Sequence, residues 1–326
     1  MDRLIAVIEF LRFVMDSYRV PRLATARGAP GLRGTRAQRI GDLSSTAERD
    51  RVRLKEETGT GFPFFVGERR CSEARTAPVK VHVAGIQAGP VCIGLDETGT
   101  TALFFAAQGG YMDIAGLLLD HGAVVDSCSI DGGTPLFIAC QCGHLDVVEG
   151  LIERGADPNA HMKDGATVLF IAAQNGHMRI LEVLLEHGAK VDAARTDGAT
   201  PLWIAAQMGH DHVVRRLLKA DAKVDATRHD GGTPLFKAAH KGHTAVVGEL
   251  LKYRPSLGIL PNGDSALHAA ALTGQMTVAR QLVGAGADPL LMNQEGVTPL
   301  QIAIRLSQTQ VANYLKDKVR ARTGTS

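Results

Sequence analysis

Between residues 96 and 320 the apolar positions fall into two alternating kinds of stretch. One is short and slim, a Leu followed by a pair of small residues, as at Leu136 with Ala139 and Cys140, or Leu202 with Ala205 and Ala206. The other is an apolar stripe at i, i+3 and i+4, such as Val147, Val148, Leu151 and Ile152, or Ile180, Val183, Leu184 and Leu185. That spacing matches a helix with one buried face, so each stripe predicts an amphipathic α-helix. The small residues predict a slender first helix that its neighbours approach closely. Helix pairs of this kind, copied side by side, predict an all-α solenoid.

The copies keep a fixed length. Thr134-Pro135-Leu136, Thr200-Pro201-Leu202, Thr233-Pro234-Leu235 and Thr298-Pro299-Leu300 are one tripeptide, and Thr101-Ala102-Leu103, Thr167-Val168-Leu169 and Ser265-Ala266-Leu267 are degenerate versions of it. Their first residues, which open units 1 to 7, stand at 101, 134, 167, 200, 233, 265 and 298, so every step is 33 except the 32 into Ser265. Thr is a good N-cap, and Pro directly after it sits where its missing N–H costs nothing. Gly143-His144, Gly176-His177, Gly209-His210 and Gly242-His243 end the first helix, since Gly takes the left-handed conformation cheaply. Gly-Ala pairs such as Gly155-Ala156 close the second helix, and Asp-Gly turns follow at Asp131, Asp164, Asp197 and Asp230.

In period, order and residue type these units resemble the ankyrin repeat. The resemblance covers residues 96–320 as seven repeats, each a helix-turn-helix with a hairpin-like loop. It implies an all-α ankyrin-repeat solenoid and a non-catalytic role in binding other proteins, as a scaffold or adaptor.

Composition changes the picture before residue 96. Residues 1–95 hold 16 Lys and Arg against 10 Asp and Glu, and the remainder 20 against 24, so a basic leader precedes a mildly acidic array. Residues 1–78 read as a largely disordered basic leader with a short amphipathic helix at 3–18, and 79–95 as a junction. The last six residues, 321–326, read as a flexible tail. The helix at 3–18 is too short and too charged to span a bilayer, and no transmembrane segment is expected. Six Arg and no acid across residues 17–41 raise a second reading, an organelle-targeted or membrane-associated protein directed to mitochondria, against which Asp2, Glu9 and Asp16 stand. Without aromatic interleaving, the Arg-rich leader does not predict specific nucleic-acid binding. Five cysteines lack Cys-x-x-Cys spacing and predict neither disulfides nor zinc, which fits a reducing intracellular compartment; the expected location is cytoplasmic, with the nucleus as a further alternative. With no repeat evident before Asp96, the first unit needs a cover, and the expectation is that the helix at 3–18 folds back over it or a partner covers this end.

Candidate chemistry follows the repeat. His144, His177, His210 and His243 recur too far apart to converge on one zinc ion, and read as polar starts to the second helices. Phe104, Phe137, Phe170, Trp203 and Phe236 occupy the slot where the family most often has His, so inter-repeat contact there is expected to rest more on apolar packing. His268 keeps the family residue.

The resemblance places Gln108, Gln141, Gln174, Gln207 and His240 on a concave groove, with Asn175, Met208 and Lys241 beside them. Asp131, Lys163, Asp164, Asp197, His229 and Asp230 stand at loop tips. These fourteen are the expected contacts of a partner protein whose identity the sequence does not name, and the acidic tips favour a basic or amide-rich one. Asn159 stands where many family members carry a hydroxylatable Asn. No phosphate loop, Gly-x-Ser-x-Gly or His-Glu-x-x-His motif occurs, so no enzyme and no cofactor are expected, and the array is expected to act as a monomer.

Overall fold

The structure is a computed structural model that describes residues 99–257 and 259–323. Helices alternate first and second through the array: α1 Ala102–Gln108, α2 Met112–Asp120, α3 Pro135–Cys142, α4 Leu145–Glu153, α5 Val168–Asn175, α6 Met178–Glu186 and α7 Pro201–Met208. They continue as α8 Asp211–Lys219, α9 Pro234–Lys241, α10 Thr244–Leu251, α11 Ala266–Thr273, α12 Met276–Gly284, α13 Pro299–Arg305 and α14 Thr309–Thr323. Most are shorter than a helix that holds itself in water, so packing has to supply their stability.

Each first helix begins as the sequence predicts. Thr101, Thr134, Thr167, Thr200, Thr233, Ser265 and Thr298 each accept a hydrogen bond from the N–H three residues on, at 3.1–3.4 Å. Second helices start differently. His144, His177, His210 and His243 precede them without capping them. Instead each ring Nε2 donates to a carbonyl of the preceding unit, that of Gln108, Gln141, Gln174 or Gln207, at 3.0–3.3 Å.

Gly176 makes room for one of these rings. Its φ is +75°, and a Cβ there would lie 2.8 Å from the His210 ring. Glycine is therefore required twice at this position, by backbone conformation and by the next unit's imidazole.

The apolar stripes meet in one continuous core. Leu136, Leu202, Leu235, Leu151, Leu184 and Leu217 are fully buried in it, each contributing roughly 2 kcal/mol. Alanines 106, 139, 172, 205, 238 and 270 are also fully buried, which confirms the slim first helix. Loops between units close with short hairpin bonds, such as Met162 N–H to Ala166 C=O and Arg195 N–H to Ala199 C=O. An isolated antiparallel bridge joins His161 to Thr167.

Two ladders tie successive loops together. At the tips, the N–H groups of Lys163, Thr196 and His229 donate to the carbonyls of Asp131, Asp164 and Asp197 at 2.8–2.9 Å. At the base, the Asp126, Asn159, Asp192 and Asp225 side chains accept from the N–H groups of Asp157, Lys190, Lys223 and Ser256. Both ladders stop between units 5 and 6. Pro261 stands where the next tip donor belongs and has no N–H, and Gly258 stands where the next Asp or Asn belongs. The short step into Ser265 falls at the same junction. Ser256 matches Lys223 at a spacing of 33, whereas Leu260, which donates to Asp264, matches Arg228, which donates to Gly232, at 32.

The array ends on α14, which buries Val311 and Leu315 and leaves most of its remaining described side chains exposed or half-buried. This helix runs through Thr323, so residues 321–323 are helical rather than part of a tail. The expected leader, the helix at 3–18, the junction at 79–95 and the cover of the first unit lie outside the described residues.

Candidate functional site

A groove forms where the first helices meet the loop tips. At units 6 and 7 a hollow of about 380 Å³ has Leu272, Ile302, Arg305 and Leu306 of the first-helix segments on one side. Asn262, Asp264, Asn293 and Gln294 of the loops stand on the other. Counted from the capping residue, the first-helix residues are the seventh position of unit 6 and the fourth, seventh and eighth of unit 7, and the repeat carries the same positions along the array.

The seventh position is the glutamine row. Gln108 and Gln141 are exposed, and Gln207 and His240 are half-buried. Gln174 departs from the row, being only 7% exposed, which leaves little of it to meet a partner. At the eighth position Lys241 is exposed, while Asn175 and Met208 are half-buried. The Asn175 amide donates to the Gln141 carbonyl, so it too links two units.

At the tips, Asp131, Lys163, Asp164, His229 and Asp230 are exposed. Turn chemistry explains much of the Asp recurrence: the carboxylates of Asp164, Asp197 and Asp230 each accept from the N–H two residues on.

Asp197 is not a free acidic tip. Its carboxylate is held by Arg195 on one side and by Arg228 Nε at 2.9 Å on the other. The Arg195 hydrogen bond leads in keeping its pKa well below the usual carboxylate range. Asp230 lies 3.6 Å from both Arg228 and Lys237. Burial opposes its ionisation, but the Gly232 N–H and these two cations outweigh it and lower its pKa. The same cations cover aromatic faces, Arg195 over Phe170 and Arg228 and Lys237 over Trp203, at 5.3–5.6 Å from the ring centres. The middle tips are therefore self-neutralised, and the acidity expected of them is largely cancelled. The signal was present in the sequence as Arg195 and Arg228, each two residues before an Asp-Gly turn.

The aromatic row packs inward, with Phe170 and Trp203 almost fully buried and Phe137 at 7% exposure. Apolar packing is not the whole account, however. Trp203 Nε1 donates to the Gly232 carbonyl at 2.8 Å, the same link to the following loop that His268 Nε2 makes to Val297 at 3.0 Å. His268 also accepts from the Ser265 N–H through Nδ1, which fixes its tautomer and completes a capping box. Asn159 is tied at both ends, accepting from the Lys190 N–H at 2.9 Å and donating to the Gly188 carbonyl at 3.3 Å. Burial pushes the thiol pKa of Cys140 up, and that of exposed Cys142 as well.

Comparison with known proteins gives a consistent picture. The family described as "Ankyrin repeats (3 copies)" matches residues 85–162, 158–228, 220–293 and 259–325. Ankyrin repeat domain-containing protein 29 of Homo sapiens is 51% identical over 51 residues, 16% of this chain and 17% of that protein. Its Danio rerio counterpart is 52% identical over 48 residues, 15% of this chain and 16% of that protein. Diacylglycerol kinase zeta of Rattus norvegicus is 40% identical over 57 residues, 18% of this chain but 6% of that protein. The matched stretches thus span less than a fifth of these relatives. Among solved structures, the human ASB11 ankyrin repeat domain is similar with a TM-score of 0.60 and 29% identity, over 67% of this chain and 97% of that one. No helix among the described residues is long and apolar enough to cross a membrane.

Proposed function

This chain belongs to the ankyrin-repeat family, and from that premise we propose that it is a non-catalytic scaffold or adaptor that grips a partner protein in its groove. The observation that carries this reading is a division of labour within each unit. Capping Thr, buried Ala and interlocking Gly-His pairs repeat because they hold the stack. Several groove positions instead remain exposed, with no carboxylate or carbonyl among the described residues to occupy their side chains, Gln108, Gln141 and Lys241 among them. A stack pre-formed in this way meets a partner with little ordering cost.

The expected contacts narrow accordingly. Gln174, Asn175 and Asp197 serve the stack, which leaves Gln108, Gln141, Gln207, Met208, His240 and Lys241 in the groove and Asp131, Lys163, Asp164, His229 and Asp230 at the tips. The test compares two full-length variants by cross-linking and mass spectrometry in cell extract. Gln108→Arg with Gln141→Arg and Asp164→Lys should lose the principal cross-linked protein. Glu149→Arg with Glu153→Arg, on the exposed face of α4, should keep it. Undiminished cross-linking in the groove variant, with unchanged helicity, overturns the reading.

A further inference from the structure

The groove changes chemistry at one unit. In units 2 to 4 its fourth, seventh and eighth positions read Ile138, Gln141, Cys142, then Ile171, Gln174, Asn175, then Ile204, Gln207, Met208. In unit 5 all three change together, to Lys237, His240 and Lys241. The eighth position already differs from unit to unit, but the fourth and seventh, constant and uncharged through units 2 to 4, become Lys and His together, which marks a local requirement rather than drift of the repeat. Lys241 is exposed, with no carboxylate partner among the described residues. His240 is half-buried beside it; burial leads in lowering its pKa, and Lys241 and Lys237 lower it further.

Beyond unit 5 the groove turns apolar. Leu272 and Leu306 are each 44% exposed, and with Ile302 and Val297 they line the hollow of about 380 Å³. Arg305 stands at its edge. The carboxylates nearby are mostly spoken for: Asp230 by Arg228 and Lys237, and Asp264 by the amides of Asn262 and Asn293. Glu295 remains on the rim.

Resting on the groove reading above, we propose that units 5 to 7 bind a short acidic, amphipathic segment of a partner protein. An aliphatic side chain of that segment fills the hollow over Leu272, Ile302 and Leu306, and a carboxylate pairs with His240 and Lys241. Charge complementarity selects this occupant. A basic segment meets Lys241 and Arg305, whereas an uncharged one leaves Lys241 unmatched. A nucleic-acid strand brings phosphates against Asp264 and Glu295 and finds no exposed aromatic face lining the hollow. Neighbouring units lie about 10 Å apart, a helix-packing distance. An extended chain covers that in about three residues, so the acid and the aliphatic residue stand about three positions apart.

The test selects random 12-residue peptides on the full 326-residue chain by display, then measures labelled winners by fluorescence anisotropy. The winners should pair Asp or Glu with Leu, Ile or Val about three residues away. Affinity should fall at least tenfold for Lys241→Glu, for Leu272→Asp, and for peptides with Asn or Gln in place of their acids. Lys241→Arg should keep it. Circular dichroism checks that each variant is folded, and the exposure of both sites favours this.

Winners without acidic enrichment, or indifferent to Lys241→Glu and Leu272→Asp, overturn the proposal, as does a library that yields no groove-directed peptide. If binding is lost in Gln141→Arg but kept in Lys241→Glu, the groove reading stands and this assignment falls. If all three variants bind equally well, both fall. A chain that doubles its mass in solution, and returns to one copy on Leu272→Asp, has itself as the occupant and overturns the proposal too.

Discussion

At the scale of single residues, the recurring Gly-His pair does more than its first reading allows. The sequence makes the Gly a helix terminator, and it is one. What sequence alone hid is that the next unit's imidazole lies against it and bonds to the carbonyl two residues before it. Gly176 and His210 show the arrangement: φ of +75°, a 2.8 Å approach for any added Cβ, and a 3.0 Å bond from His210 to the Gln174 carbonyl. Gly176→Ala should therefore cost about 2 kcal/mol, combining a left-handed backbone penalty of about 1–2 kcal/mol with displacement of the ring. In a His210→Ala background the ring is gone and only the backbone penalty remains, so the same substitution should cost measurably less. Urea unfolding of the four chains, read as a double-mutant cycle, checks this. Equal costs in both backgrounds would show that the ring and the glycine do not interlock. The capping Thr residues, in contrast, were fully legible, because a cap is local and its partner lies three residues on.

At the scale of helices, the seams between units hold histidines whose titration is biased by packing. Burial leads in depressing the pKa of His210, which also faces His177, His212 and His243. Burial likewise leads in depressing His268, partly countered by the Val297 carbonyl and Asp264, and His240, which faces Lys237 and Lys241. A group whose folded pKa lies below its ordinary 6.5 binds protons more readily in the unfolded chain. Its contribution to stability is thus complete above pH 6.5 and is lost as pH falls from there towards the folded value. The paired carboxylates do not confuse this window, since Asp197, Asp230 and Glu249 are all shifted down from ordinary values of 3.8 or 4.5. The urea midpoint should accordingly fall between pH 7.5 and 5.5, and fall less in His210→Gln. A flat profile would mean these imidazoles are no harder to protonate in the folded chain. Helix order, caps and stripes could be read from periodicity. The bond from Arg228 to Asp197 could not, because it joins residues of different units whose meeting depends on the stacked geometry, whereas Arg195 stands only two residues before Asp197.

At the scale of the whole array, stability is close to a sum over neighbouring units, so its weakest seam decides where it opens. Three changes coincide at the seam between units 5 and 6: the 32-residue step, Gly258 in place of the Asp or Asn that caps the next loop, and Pro261 in place of a tip donor. The helices still pack across it, with Leu235, Ala239, Leu267 and Ala270 all fully buried. What is missing lies on the loop side, one link from each ladder, and a net backbone hydrogen bond contributes about 1 kcal/mol. The tip ladder resumes beyond the seam, where Gln294 donates to the Asn262 carbonyl at 3.0 Å, so the tips of units 6 and 7 are linked in the way that those of units 5 and 6 are not. The sequence exposed this place as a slip in register. Its physical meaning needed the hydrogen bonds on either side to show which residues fall out of step. Hydrogen exchange followed by mass spectrometry in rising urea should then show α11 to α14 opening together, at a lower concentration than α3 to α8. Exchange through one shared transition from α3 to α14 would place the seam on a par with the others, and the lost loop links would count for little against the helix packing that spans it.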